Sequence, residues 1–165
     1  MKITFRFILL AVAGAAAFWL WTVLFPSPEK IVLKKIANLA TTATFASGTG
    51  NLQLVGKANA AAGFFDLEAQ IVFNAGSPGT RTLNGRDEIR TAALAGFAGR
   101  ASLEVKFLDA TAKVGADGQS AEVSCTAKVN AGGSKDFGVQ EMRFQFRKTG
   151  NDWLITRAET VKTLQ

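Results

Sequence analysis

The chain has 165 residues, with 19 Lys and Arg against 13 Asp and Glu, no histidine, no tyrosine and one cysteine, Cys125. Those absences exclude an intrachain disulfide, a His/Cys metal centre and any mechanism that needs an imidazole or a phenol. The basic residues, among them Lys57, Arg81, Arg100, Lys113 and Lys128, are scattered rather than interleaved with aromatics, so no nucleic-acid surface is expected.

The first element in chain order is apolar. After a short basic N-terminus, residues 1–6 with Lys2 and Arg6, no charge occurs from Phe7 to Phe25, and Thr22 is the only hydroxyl. A helix over that run rises about 28 Å, close to the hydrocarbon thickness of a bilayer. Trp19 and Trp21 stand near its far end, where amphipathic rings favour the headgroup level. The spacing predicts one transmembrane helix over 7–25, anchored by Phe7, Trp19, Trp21 and Phe25, which makes the bilayer the first expected partner. Ala11-Val12-Ala13 and Ala15-Ala16-Ala17 also offer signal-peptidase sites, but Phe18–Phe25 stays apolar beyond both. The anchor is therefore preferred to a cleaved leader.

Lys2 and Arg6 before the span are balanced by Lys30, Lys34 and Lys35 after it. A short basic N-terminus ahead of a first span favours a single-pass protein of a bacterial inner membrane with its domain outside the cytoplasm. Pro26-Ser27-Pro28 ends the helix, because proline lacks an N–H and restricts its predecessor. Residues 29–165 then suit one domain with a real core.

Ser27-Pro28-Glu29 opens a helix with Val32, Ile36, Leu39 or Ala40, and Ala43 at helical spacing. Ala46–Gly50 breaks it, and a second helix follows with Leu52, Val55, Ala58 or Asn59, Ala62 and Phe65 as its stripe, ending near Asp66. Glu68–Phe73 and Thr80–Leu83 read as a small hairpin, and Gly85-Arg86-Asp87-Glu88 opens a third helix that Gly99 stops.

The remainder alternates. Leu103, Val105 and Phe107 give way to Ala110, Ala112 and Val114, a phase change that predicts a bulge near Asp109. Ala121 to Val129, Met142 to Phe146 and Trp153 to Leu164 supply three more strands. Helices followed by a four-strand antiparallel meander indicate α+β.

Taken in order, Asn59–Phe65, Leu83–Ile89, Ala121–Val123 and Asn151–Ile155 resemble the nuclear transport factor 2-like superfamily, with its SnoaL-like and ketosteroid isomerase-like branches. The resemblance spans roughly residues 29–164. It implies a cone-shaped, cystatin-like fold in which helices pack on a curved antiparallel sheet, with an open end able to hold a small apolar ligand. It further implies a choice among isomerases, dehydratases, binding domains and assembly modules, and homodimers through the outer face of the sheet.

The family's isomerase base falls near Phe73, which is apolar here, and its oxyanion tyrosine and dehydratase histidine have no counterpart. A non-catalytic domain for ligand binding or protein assembly is therefore expected. The alternative is an isomerase-, dehydratase- or hydrolase-like enzyme using a carboxylate of the cone. Candidate catalytic acids are Glu141, Glu159 and Asp109. Arg157, Glu159 and Glu141 are candidate ligand-binding residues, because Arg157 and Glu159 share the parity of Trp153 and Ile155. If that face lines the cone, the pair could lie inside it; otherwise both charges face water or a partner. Nothing in the pattern demands a cofactor or a metal.

Overall fold

The computed structural model describes residues 27–74, 79–132 and 137–161. The expected anchor, with Phe7, Trp19, Trp21 and Phe25, lies outside them, as do Pro26 and residues 162–165. No helix among the described residues is long and apolar enough to cross a membrane.

Among the described residues three helices and six strands follow in the order α1 (Pro28–Ala43), α2 (Asn51–Ala62), β1 (Phe65–Asn74), β2 (Thr80–Asn84), α3 (Gly85–Phe97), β3 (Leu103–Val114), β4 (Ser120–Ala131), β5 (Phe137–Thr149) and β6 (Asp152–Thr160). The strands form one sheet, ordered β2-β1-β6-β5-β4-β3. The antiparallel meander from β3 to β6 is present, and the molecule is α+β.

Two expectations need correction. The sheet is mixed rather than wholly antiparallel, because β6 ends the meander alongside β1 and runs parallel to it. The stripe assigned to α2 also needs narrowing, since its Ala58, Ala62 and Phe65 are buried but its other members are not. Leu52 is 85% exposed and Val55 41%, while Ala58, Ala61 and Ala62 face inward. The helix turns its small residues to the core, so it can approach its neighbours closely. Phe65 belongs to β1, which begins three residues earlier than the pattern suggested.

Helix α1 buries Val32, Ile36, Leu39 and Ala40, the stripe its spacing predicts. Ser27 stands at its N-cap without a capping side-chain bond, and Pro28 supplies the fixed φ of the first turn. The helix finishes against the start of β3. There Phe45 and Leu103 exchange backbone hydrogen bonds of 2.8 and 3.0 Å, and the Val105 N–H donates to Thr44 Oγ1 at 3.0 Å. These contacts close the first stretch of an edge strand that would otherwise show unpaired backbone groups.

The space between helices and sheet is filled. Val32 and Ile36 meet Val123, Phe144, Phe146, Trp153 and Ile155 in one apolar cluster, with Phe107 and Phe144 edge to face at 5.4 Å. A second cluster joins Phe45, Ala58, Phe97 and Leu103, with the Phe45 and Phe97 rings also 5.4 Å apart. Burying each such side chain contributes about 1.5–3 kcal/mol. Among the described residues no polar or charged side chain is buried.

Candidate functional site

A single extra residue decides where the candidate charges go. Phe146 pairs with Ile155 and Gln145 with Arg157, so Thr156 has no partner of its own and bulges from β6. Side-chain direction alternates along a strand, and one inserted residue reverses it beyond that point. Trp153 and Ile155 face the core; after the bulge it is Ala158 that does so, 1% exposed. Arg157 and Glu159 are thereby turned to the outer face of the sheet, away from the helices. The expected pairing of Arg157 and Glu159 is present, Nε to Oε2 3.0 Å, but it lies outside the space enclosed by helices and sheet. The apolar spacing Trp153, Ile155, Ala158 carries the signal of this phase change, and strict parity passes over it.

On that outer face the side chains form a ladder across the strands. Arg143 of β5 sits opposite Glu159 of β6, with NH1 3.5 Å from Oε1. Its Nε is 3.8 Å from Glu122 Oε1 on β4; this is ion-pair distance, and the buried Nε has no hydrogen-bond acceptor. Arg157 NH1 donates to Gln70 Oε1 of β1 at 3.2 Å, and Gln70 Nε2 donates to Asn84 Oδ1 at 3.1 Å. Five strands are thus crossed by alternating charge, Glu122–Arg143–Glu159–Arg157, continued by two amides. Glu159 is the most sheltered member, its side chain 25% exposed. Pairs this open contribute at most about 1 kcal/mol each. Arg143, Glu122 and Gln70 were not among the sequence candidates, since nothing in one strand's pattern reveals what its neighbours place opposite.

The other two acids gather at the far part of the same sheet. Asp109 occupies the β3 bulge between Leu108 and Thr111, as the phase change predicts, with φ +52°. It lines a small hollow of about 250 Å³ with Glu141, Arg143, Ser124, Thr126 and Val161. Asp109 and Glu141 are both exposed. Neither is placed in a dry apolar cavity. Cys125 is buried, and burial pushes its thiol up to about 11, so it is an inert core group.

Arg86, next to the α3 start, has a structural role. Its Nε and NH2 both donate to the Phe65 carbonyl, at 2.8 and 2.5 Å, tying the helix to the head of β1. Among the described residues no cluster of three or more metal-ligating side chains occurs.

No family model matches the chain, and no curated protein matches it. Solved structures do. An NTF2-like protein with a cystatin-like fold from Novosphingobium aromaticivorans is 20% identical with a TM-score of 0.60, over 92% of this chain and 88% of that one. An NTF2-like protein of unknown function from Pseudomonas putida KT2440 is 9% identical with a TM-score of 0.63, over 86% and 90% of the two chains. A putative scytalone dehydratase from Novosphingobium aromaticivorans is 9% identical with a TM-score of 0.62, over 82% and 83%. At these identities the likeness shows the fold, cystatin-like and NTF2-like, and leaves the activity open.

Proposed function

We propose that this chain is a membrane-anchored, non-catalytic assembly module whose working surface is the outer face of its sheet. One observation carries the reading: an apolar cluster fills the space between helices and sheet and no polar or charged residue is buried as a whole among the described residues, whereas Arg157, Glu159, Glu141 and Arg143 all stand on the outer face. Catalysis of the kind known for this fold requires a carboxylate base and hydroxyl donors inside an apolar cavity. The chain has no tyrosine or histidine to supply the donors. The anchor is Phe7–Phe25, on the hydropathy of that run, with the domain outside the cytoplasm of a bacterial cell.

The ladder Glu122–Arg143–Glu159–Arg157 suits a partner of matching alternation, and a second copy turned by a two-fold offers one. Leu108, 43% exposed, and Val139, 55% exposed, add apolar area to the same face. The test is sedimentation of the full chain in detergent, wild type against Arg143→Glu/Arg157→Glu. The reading expects a dimer that the double variant converts to monomer while its thermal midpoint stays within a few degrees. Equal association of both proteins would sink it.

The hollow shared by Asp109 and Glu141 favours a second reading, a weak enzyme on a small apolar substrate. Asp109→Asn and Glu141→Gln, assayed on a panel of steroid-like and lipid substrates, separate the two. Turnover lost in the folded amide variants would favour the enzyme.

A further inference from the structure

The end of the domain from which residues 1–26 depart has a surface of its own. Helix α1 is bonded at its C-terminus to the start of β3 and runs back beside the sheet. Its first turns therefore lie towards the end of β3, and the Lys35–Asp152 ion pair ties the helix to the β5–β6 turn. Ile31 and Leu33 pack on the cluster that also holds Val114, Ala121 and Trp153. Lys35 Nζ lies 2.5 Å from Asp152 Oδ1 in the β5–β6 turn. The Lys148 N–H donates to the Gln119 carbonyl at 2.8 Å, which brings the β3–β4 and β5–β6 turns side by side.

The acids of this end are held by local partners. Asp117 accepts the Gln119 and Ser120 N–H groups at 3.0 Å each, closing its own turn. Asp152 takes the Trp153 N–H and the Lys35 ammonium, and Asp66 is held by the Glu68 N–H and Arg147. The lysines behave differently. Lys30 and Lys34 are exposed four residues apart on one face of α1, Lys113 is exposed at the end of β3, and Lys148 is half-buried at the end of β5. Among the described residues none of these four has an acid within ion-pair distance. Of the acids here, Glu29 and Asp117 likewise have no ion-pair partner among the described residues, and Glu122, opposite Lys113 on β4, is taken by Arg143. The result is an end on which unpaired lysines outnumber unpaired acids.

We propose that this end of the domain is a membrane-contact surface, in which Lys30, Lys34, Lys113 and Lys148 rest on anionic lipid headgroups. The inference rests on the anchor reading of Phe7–Phe25, because only that reading brings the surface to a bilayer. Two observations select lipid as the occupant. The apolar run stops at Phe25, three residues before α1 begins, so Lys30 lies within about 18 Å of the bilayer even along an extended chain and closer along a helical one. The unmatched charge is of the sign that anionic headgroups attract, and attraction is felt only within about a Debye length of the surface, some 8–10 Å at ordinary salt. Contact of this kind would hold the domain upright on its anchor, leaving the outer sheet face turned sideways towards neighbours in the membrane plane.

The experiment compares the full chain in nanodiscs of phosphatidylcholine with nanodiscs containing one third phosphatidylglycerol. Hydrogen exchange is followed at residues 28–35 and 113–120. Anionic lipid should slow exchange in both segments about fivefold or more, an effect that 0.5 M salt removes. Lys30→Gln/Lys34→Gln/Lys113→Gln/Lys148→Gln should show the slow phase in neither lipid, with exchange in the β4 and β5 core unchanged. Identical exchange in the two lipids, with the chain resisting a carbonate wash, overturns the contact surface and leaves the anchor standing. Extraction of the chain by carbonate overturns the anchor, and the contact surface with it.

Discussion

Asp66, Asp117 and Asp152 each lie below the usual carboxylate range for a local reason. The Glu68 N–H holds Asp66, with Arg147 adding to it; the Gln119 and Ser120 N–H groups hold Asp117; the Lys35 ammonium holds Asp152, with the Trp153 N–H adding to it. A carboxyl whose folded pKa is depressed stabilises the fold above its unfolded value, near 3.8 here, and that contribution is lost as pH falls through the folded value. Urea midpoints should accordingly be flat from pH 7 to about 5 and fall below pH 4. Lys35→Ala should shrink the fall, since it removes the main cause of the Asp152 shift. Cys125 has the opposite sense. Its thiol is raised to about 11 from 9.0, so the fold favours the protonated form, and stability should decline as pH climbs above about 9. Alkylation at pH 8 should reach Cys125 only after urea unfolds the chain.

Bulges govern the elements. Asp109 adopts a left-handed φ of +52° that a β-branched residue tolerates poorly. Asp109→Val should cost about 1–2 kcal/mol in chemical denaturation, and Asp109→Gly should be close to neutral. Thr156 is the extra residue of β6. Deleting it would join Ile155 to Arg157, and unbroken alternation would keep Arg157 and Glu159 on the outer face and Ala158 in the core, with the pairing to Phe146 and Gln145 unchanged. The deletion variant should therefore keep a cooperative thermal transition. Thr156→Ser keeps the residue count and should stay within about 1 kcal/mol of wild type. Gly85 supports the same region, since its φ of +80° and the Leu67 carbonyl 3.3 Å from any added Cβ both resist a side chain.

At the scale of the molecule, an apolar core lies on one face of the sheet and a charged ladder on the other. Phe144 touches the Phe107 ring at the centre of the main cluster and is 2% exposed. Phe144→Ala should therefore cost about 3–5 kcal/mol, read as a lower urea midpoint, and leave an emptied space. If association belongs to the outer face, the same variant should still dimerise at temperatures where it remains folded. Arg143→Glu/Arg157→Glu should show the reverse pattern, stable but monomeric. Interior and face are then separable by two measurements on two variants.

Local periodicity was enough to place three helices, the four-strand meander and the Asp109 bulge, because each rests on the spacing of neighbours along one chain. It also identified an apolar run, Phe7–Phe25, whose composition alone argues for a membrane. It put Ala58 and Ala62 on the buried stripe of α2 but could not leave out Leu52 and Val55, because an alanine stripe has no contrast against them until the partner surfaces are known. The parallel pairing of β1 with β6 joins residues as far apart as Phe65 and Ile155, and no pattern in either strand encodes that neighbour. The candidate site shows the division most clearly. The sequence identified Arg157 and Glu159 as a pair worth attention, and side-chain chemistry alone suffices for that. Only the tertiary structure decided that one unpaired residue, Thr156, turns them outward to meet Arg143, because strand parity is set by cross-strand hydrogen bonding rather than by residue count.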